Sequence, residues 1–420
     1  MTLAPDSPKR ILALCLTLLL PLAAQDSVRT GLEGFSSKSP ESIHATERPL
    51  VAALREPLLG AMDCAAALQC WLDGRSADVR GDKDAAAAAW AAGGAALENL
   101  QALPAPTWPT PASGRLRPLR KLEGRDLYLV TAFVVSWTAD AGAQYGLFLV
   151  PQSIPKDHRF PLLAYVHHGQ EGITADEVAW LGEQCRRGYA VIAPGRPGQP
   201  LAEAAIASLK SYRSAGSASA AVEAASAVVT AMQGAAALPA VRPQACVLLG
   251  LGSGASSALL AATRSPLPTC VAVAEAVGLN PFRDYWNRLA RRENRWPDWE
   301  SFCSREPAAQ LADMARRSVA HQAAAIRCPV LMLLPADSLG SSAEEAHRDV
   351  VTRLTAAGGE AALEAPAGTQ RGFTDDLRSP PAKDALRRLS RFAHRYAPAD
   401  DGKDALMTPL PQPPGTLHGN

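Results

Sequence analysis

At 420 residues the chain is too long for one ordinary domain and fits a large domain with a smaller companion. Apolar residues make up 47%, enough for a sizeable core, and 42 Lys and Arg against 41 Asp and Glu leave a formal charge of +1. A chain so balanced carries no global field that would draw it to nucleic acid or to an acidic membrane, and neither is expected as a partner.

Lys9 and Arg10 precede an apolar run from Ile11 to Leu22, broken by Thr17 and Pro21, and Ala23-Ala24 supply small residues for cleavage. The run is shorter than the ~20 residues of a membrane span. Residues 1–24 therefore read as a signal peptide, and the mature protein is expected in the periplasm or outside the cell, with no membrane partner. Cys15 lies inside the apolar run behind Leu14, which does not suit a lipid anchor. Residues 25–48 are polar and read as a flexible segment. Residues 49–103 read as a helical hairpin or cap. Leu50, Leu54, Leu58 and Leu59 form one apolar stripe, Leu68, Trp71 and Leu72 another, and Trp90, Leu97 and Leu100 follow near the helical period. Glycines and charges between Asp73 and Asp82 predict the turn. One hairpin cannot make a solenoid. Prolines 104, 106, 109, 111 and 118 predict a linker over 104–118. The polar, Pro-rich tail, 398–420, reads as disordered.

Between linker and tail, over 119–397, strand-like and helix-like segments alternate. Asp126–Trp137, Gln144–Val150, Phe160–Val166, Tyr189–Ala193, Ala245–Leu249, Thr269–Ala274, Pro329–Leu334 and Ala361–Ala365 read as strands. Helices are expected at Thr174–Arg187, Ser217–Ala237, from near Gly254, at Ser342–Ala356 and at Pro381–Tyr396. Antiparallel strands followed by β-α-β repetition predict an α/β fold, a mostly parallel sheet flanked by helices. An insert at 280–317 carries Trp286, Trp296 and Trp299 among arginines. Removal of the signal leaves seven cysteines, whose spacings match no zinc site. Cys64 and Cys70 could pair after export, and Cys246, Cys270 and Cys328 read as buried small apolar residues.

Several local patterns then fall in order: YGLFLVP (145–151), FPLLAYVHHGQEG (160–172), RGYAVIAPGRPGQ (187–199), ACVLLGLGSGASSALLAA (245–262), ARRSVAHQAAAIRCPVLMLLPAD (315–337) and GTQRGF (368–373). Together they resemble α/β-hydrolases, with dienelactone hydrolases, acetyl xylan esterases and prolyl-oligopeptidase-like catalytic domains as the nearest kin. The resemblance implies an α/β-hydrolase fold over about two thirds of the chain. It also implies a serine on a sharp strand-to-helix turn, G-x-S-x-G. Here Gly250 and Gly254 frame Gly252, which has no side chain to attack with. Ser253 is a fallback nucleophile only if the turn shifts by one residue. In the unshifted frame its N–H, with an N–H from the His168-Gly169-Gln170 turn, would form an oxyanion hole.

The resemblance places the catalytic histidine just before Gly-Phe, where Arg371 stands, and the chain has no histidine between His347 and His394. Arginine keeps its proton and cannot act as a general base. Asp337 matches the triad acid, and an Asp337–Arg371 ion pair is one expectation; the other is a loop Asp capping the following helix. A capping insert could bind an acidic or sugar-like ligand through Trp286 and Trp296, with His168 lining the pocket; a solvated basic face over a Trp-anchored core would explain the same residues. Three functional readings follow. One is a secreted pseudo-hydrolase that binds a small ester-, carboxylate- or sugar-like molecule. Another is an active esterase or peptidase-like serine hydrolase using Ser253 and a base such as His168. The last is an interaction protein working through its N-terminal helices. No metal or other cofactor is expected. GLGSGA lacks the third glycine and the acidic partner of a dinucleotide site, so NAD is not expected either.

Overall fold

The computed structural model describes residues 45–108, 114–152, 158–169, 171–203, 206, 209–217, 221–291 and 306–399. The expected signal peptide, nearly all of the expected flexible segment and tail, and the site residues Gln170 and Trp296 lie outside the described residues. Two compact units emerge. One combines the chain up to Pro106 with Pro281–Ala315; the other combines Thr107–Asn280 with the chain from Arg316.

Helices α1 (Arg48–Ala53), α2 (Arg55–Leu59), α3 (Ala65–Val79) and α4 (Lys83–Ala95) open the described chain. Then come β1 (Arg117–Leu122), β2 (Val130–Ala139), β3 (Gly142–Pro151), β4 (Phe160–Val166), α5 (Ala175–Arg186) and β5 (Ala190–Pro194). They are followed by α6 (Ala221–Ala236), β6 (Val241–Leu251), α7 (Ser253–Ala262) and β7 (Cys270–Ala274). After α8 (Pro281–Arg291) and α9 (Pro307–Arg317), the chain continues through α10 (Val319–Gln322), β8 (Val330–Leu333), α11 (Ser342–Ala356), β9 (Ala361–Glu364) and α12 (Pro380–Tyr396).

The sheet runs β1-β2-β3-β5-β4-β6-β7-β8-β9. The pairs β1–β2, β2–β3 and β3–β5 are antiparallel, and the rest of the sheet is parallel. Both faces are covered, which explains why its strands read as unbroken apolar runs. Cys246 and Leu248 of β6 pack with α6, α7 and α11 residues on one face. Val247, Leu249 and Leu251 point the other way, into a core shared with Leu181, Leu386 and Leu389 of α5 and α12. Each such buried side chain contributes about 1.5–3 kcal/mol.

The end of the expected linker turns out to be strand: Arg117–Leu122 pairs with β2 at the sheet edge. Pro118 is tolerated there because an edge strand has one unpaired side, and the register slips between Pro118 and Arg120. Cys64, Cys70, Cys246, Cys270 and Cys328 are free thiols, so the possible Cys64–Cys70 bridge is not formed. Burial pushes both Cys64 and Cys246 up to about 12.

In the first unit, α3 continues through Asp73–Val79, a stretch whose composition predicts a turn. Gly74 serves contact rather than bending: a Cβ there would lie 2.3 Å from Nε1 of Trp90, so the indole of α4 sits directly on the α3 backbone. The turn is instead confined to residues 80–82, where Asp82 caps α4 by accepting from Ala85 N–H at 3.0 Å. The stretch expected as an insert of the α/β domain also differs. Phe282, Tyr285, Leu289, Leu311 and Met314 share one core with Leu50, Leu54, Leu58, Trp71 and Trp90.

Gly74 and Gly94 predict opposite outcomes. Gly74→Ala should cost about 1–3 kcal/mol by forcing the indole aside. Gly94→Ala, where a Cβ meets nothing within 4 Å, should gain up to about 1 kcal/mol from helix propensity. Urea unfolding of both variants checks the sign.

Candidate active site at the end of the sixth strand

Strand β6 ends at Leu251, Gly252 turns the chain with φ 52° and ψ −125°, and α7 begins at Ser253. The crossing is tight. A Cβ at Gly250 would meet Cα of Ala255 at 2.8 Å, and one at Gly254 would meet the carbonyl oxygens of Val166 and His167 at 2.4 Å. These are the close approaches for which a nucleophile elbow needs glycines around its central residue. With this turn and the strand order above, the second unit is α/β-hydrolase-like.

At the central position the geometry is different. A Cβ on Gly252 would lie 1.6 Å from Nδ1 of His168. The imidazole occupies the space into which a nucleophile's side chain would project. His168 Nε2 lies 2.6 Å from Oδ1 of Asp375, while Nδ1 is buried without a hydrogen-bond partner among the described residues. The His168 peptide N–H donates to Glu177 at 3.2 Å. The buried Glu177 carboxylate also accepts from Tyr165 Oη at 2.5 Å and from Thr174 N–H at 2.7 Å, completing the capping box of α5.

Asp375 is placed by a second buried carboxylate. Glu275 follows β7 with φ 54°, an uncommon conformation for a side-chain-bearing residue. It accepts from Gly372 N–H at 2.6 Å, from Thr374 N–H at 2.8 Å and from the Thr374 hydroxyl. Asp337 and Arg371 do meet, but not as the expected ion pair. The backbone N–H of Arg371 donates to Oδ2 of Asp337 at 3.1 Å, and its Nε donates to Ser338 Oγ at 3.2 Å. Both residues are exposed, where an ion pair is worth about 1 kcal/mol at most. The peptide contact takes the carboxylate instead.

Ser253 holds another surprise. Its hydroxyl accepts from Arg196, whose NH1 also donates to the carbonyl oxygen of Gly169 at 3.2 Å. Among the described residues, neither a histidine nor a carboxylate is hydrogen-bonded to Ser253 Oγ. Burial holds Arg196 below the usual guanidinium value. His167 is fully buried, with Nδ1 3.0 Å from the His168 carbonyl oxygen and Nε2 without a partner.

Trp286, expected against a ligand, packs in the core of the other unit, where its indole N–H donates to the Val51 carbonyl at 3.2 Å. His168 does line a cleft of about 340 Å³, with Glu177, Glu203, Thr374, Asp375 and Arg378 among its walls. Among the described residues no group of three His, Cys, Asp or Glu side chains could hold a metal ion, and no helix is long and apolar enough to cross a membrane. Sequence reasoning passed over Asp375, Glu177 and Arg196. Only the Thr-Asp-Asp after Gly372-Phe373 hinted at an acid in that loop.

No protein-family model matches this sequence, and no curated protein does. Among solved structures, the acylaminoacyl peptidase of Pyrococcus horikoshii is similar at 13% identity, with a TM-score of 0.46. That match covers 70% of this chain and only 44% of the peptidase. The acetyl xylan esterase of Paenibacillus sp. R4 is similar at 15% identity over 68% of this chain and 90% of its own, with a TM-score of 0.44. Acetyl xylan esterase 1 of Thermoanaerobacterium sp. is similar at 12% identity over 62% and 84%, with a TM-score of 0.40.

Two outcomes follow from this geometry. Gly252→Ser should lower stability by about 2–4 kcal/mol, from overlap with the imidazole and a positive φ. His168→Gly should recover part of that loss in a double-mutant cycle read by denaturant unfolding. The second outcome concerns pH. Burial lowers the pKa of His167 and of His347 below 6.5. The unfolded chain therefore binds protons that the folded chain refuses as pH drops below about 6.5, and stability must fall toward acid through that window. His347→Gln should flatten the decline of Tm between about pH 6.5 and 5.

Proposed function

We propose that the α/β unit is a pseudo-hydrolase, a binding module that holds a small ligand at the elbow without cleaving it. The observation that carries this reading is the overlap at Gly252: the place of a nucleophile is taken by the His168 ring. Acyl transfer needs an activated nucleophile with its base within hydrogen-bond reach. Ser253 is the only hydroxyl at the turn itself, and it is bonded to a guanidinium, which supplies a proton donor rather than an acceptor. His168, the nearest candidate base, has Nε2 committed to Asp375 and Nδ1 buried against the glycine.

What the site keeps is polarity suited to an oxygen-bearing ligand. The start of α7 offers N–H groups, and the adjoining turn offers Ser253 and Arg196. A carbonyl or carboxylate oxygen suits these donors better than a sugar ring, because Trp286 is spent on core packing. With its N-terminal signal-like segment, the protein on this reading is an exported binding protein.

A fluorophosphonate probe, applied to the mature protein beside an active serine hydrolase, tests the proposal. The expected result is no labelling of the wild type while the control is labelled. Labelling that disappears in Ser253→Ala would establish Ser253 as a nucleophile and sink the pseudo-hydrolase reading.

A further inference from the structure

We infer that the α/β unit binds a small monocarboxylate between the guanidinium of Arg196 and the N-terminus of α7, a conclusion that rests on the reading of the elbow as a non-catalytic binding site. Arg196 follows β5 and is only 8% exposed. It donates to neutral acceptors, the carbonyl oxygen of Gly169 and the hydroxyl of Ser253. Among the described residues Nε has no hydrogen-bond partner, and no carboxylate lies within ion-pair distance of the group. Arginine stays protonated even when burial disfavours its charge. A buried cation without a counter-charge is costly, and folded proteins pair such groups as a rule. The missing partner is therefore an anion from outside the described chain.

The hydrogen bond from Arg196 to Ser253 places the guanidinium at the first residue of α7. This helix runs for 10 residues and has no side-chain cap. Gly252 N–H is used by Ala274 O and Ala255 N–H by Gly252 O, while the N–H groups of Ser253 and Gly254 have no partner among the described residues. The Ser253 hydroxyl accepts from Arg196, so its own proton is left to donate. Guanidinium, hydroxyl and helix end thus form one cluster of donors.

Charge decides the class of anion. One guanidinium and roughly half a unit charge from the helix end balance a monoanion. A phosphate, near −2 at neutral pH, would bring more charge and more oxygens than these donors meet. The Gly169 carbonyl, 3.2 Å from NH1, adds a repulsive oxygen on the same side. A carboxylate, with one oxygen on Arg196 and the other on Ser253, fits the donor set.

The test is a titration of the full mature chain with sodium acetate at constant ionic strength, followed by saturation-transfer NMR of the acetate methyl group. Saturable binding is expected in the wild type. Arg196→Met should weaken it by about 10- to 100-fold and Ser253→Ala by about 2- to 10-fold, in line with loss of a charge-assisted and a neutral hydrogen bond. Should Arg196→Met fail to fold, Arg196→Lys keeps the charge, loses the planar fork and should bind with intermediate strength. No saturable acetate signal, or binding in the Arg196 and Ser253 variants as strong as in the wild type, overturns the site. Displacement of acetate by equimolar chloride or inorganic phosphate overturns its assignment to a carboxylate. Fluorophosphonate labelling reports separately: labelling alongside acetate binding defeats only the non-catalytic reading, and absence of both defeats only the carboxylate site.

Discussion

Where β6 turns into α7, backbone and side chains approach so closely that a Cβ has no place at any of three alternating positions, and this crowding governs what the site can contain. The intruding atoms differ from one position to the next. At Gly250 and Gly254 they are mainly backbone, belonging to α7 itself and to the end of β4. Those two glycines are demanded by the fold. At Gly252 the intruder is a side chain, the imidazole of His168. The fold alone would admit a side chain there, and His168 is what forbids it. The bare Gly252 and the seat of His168 are thus one structural fact, and Asp375 anchors the ring from the opposite side.

That anchorage depends on two buried glutamates doing the same job on different loops. Glu177 ties the chain after β4 to the start of α5 by accepting from Tyr165, His168 and Thr174. Glu275 ties the chain after β9 to the end of β7 through Gly372 and Thr374. A carboxylate can be buried when its lone pairs are met by several donors. The positive φ of Glu275 carries strain of about 1–3 kcal/mol, and its hydrogen bonds offset it. The loops around the turn therefore keep a defined geometry.

The sequence made the parallel strands legible because both sheet faces are buried, and Phe160–Val166 and Ser342–Ala356 were read with the bounds they have in the structure. The glycine turn after β6 was legible for a similar reason: its spacing reflects a local backbone requirement. What could not be read depended on distant neighbours. Gly74 resembles a turn residue until Trp90 is seen lying on it. Nothing local to Pro281–Ala315 says that its apolar residues join those of α1 to α4. The sequence suggests an ion pair between Asp337 and Arg371, but only the folded loop reveals that the backbone N–H, rather than the guanidinium, meets the carboxylate.

The two arginines of the site also show how position in a pattern and physical consequence can part company. Arg371 draws notice because it stands where a histidine would be expected, yet it is exposed and among the described residues its guanidinium is hydrogen-bonded to Ser338 alone. In that setting its charge is largely screened by water, and its replacement should disturb little. Arg196 stands in the Gly-Arg-Pro-Gly turn after β5, a position to which the resemblance gives no role, yet it is buried, and its contacts are a carbonyl and a hydroxyl. A neutral apolar side chain of similar length would avoid the desolvation cost entirely. Arg196 thus holds a buried charge beside the turn that Gly252 makes, and among the described residues it meets only neutral acceptors.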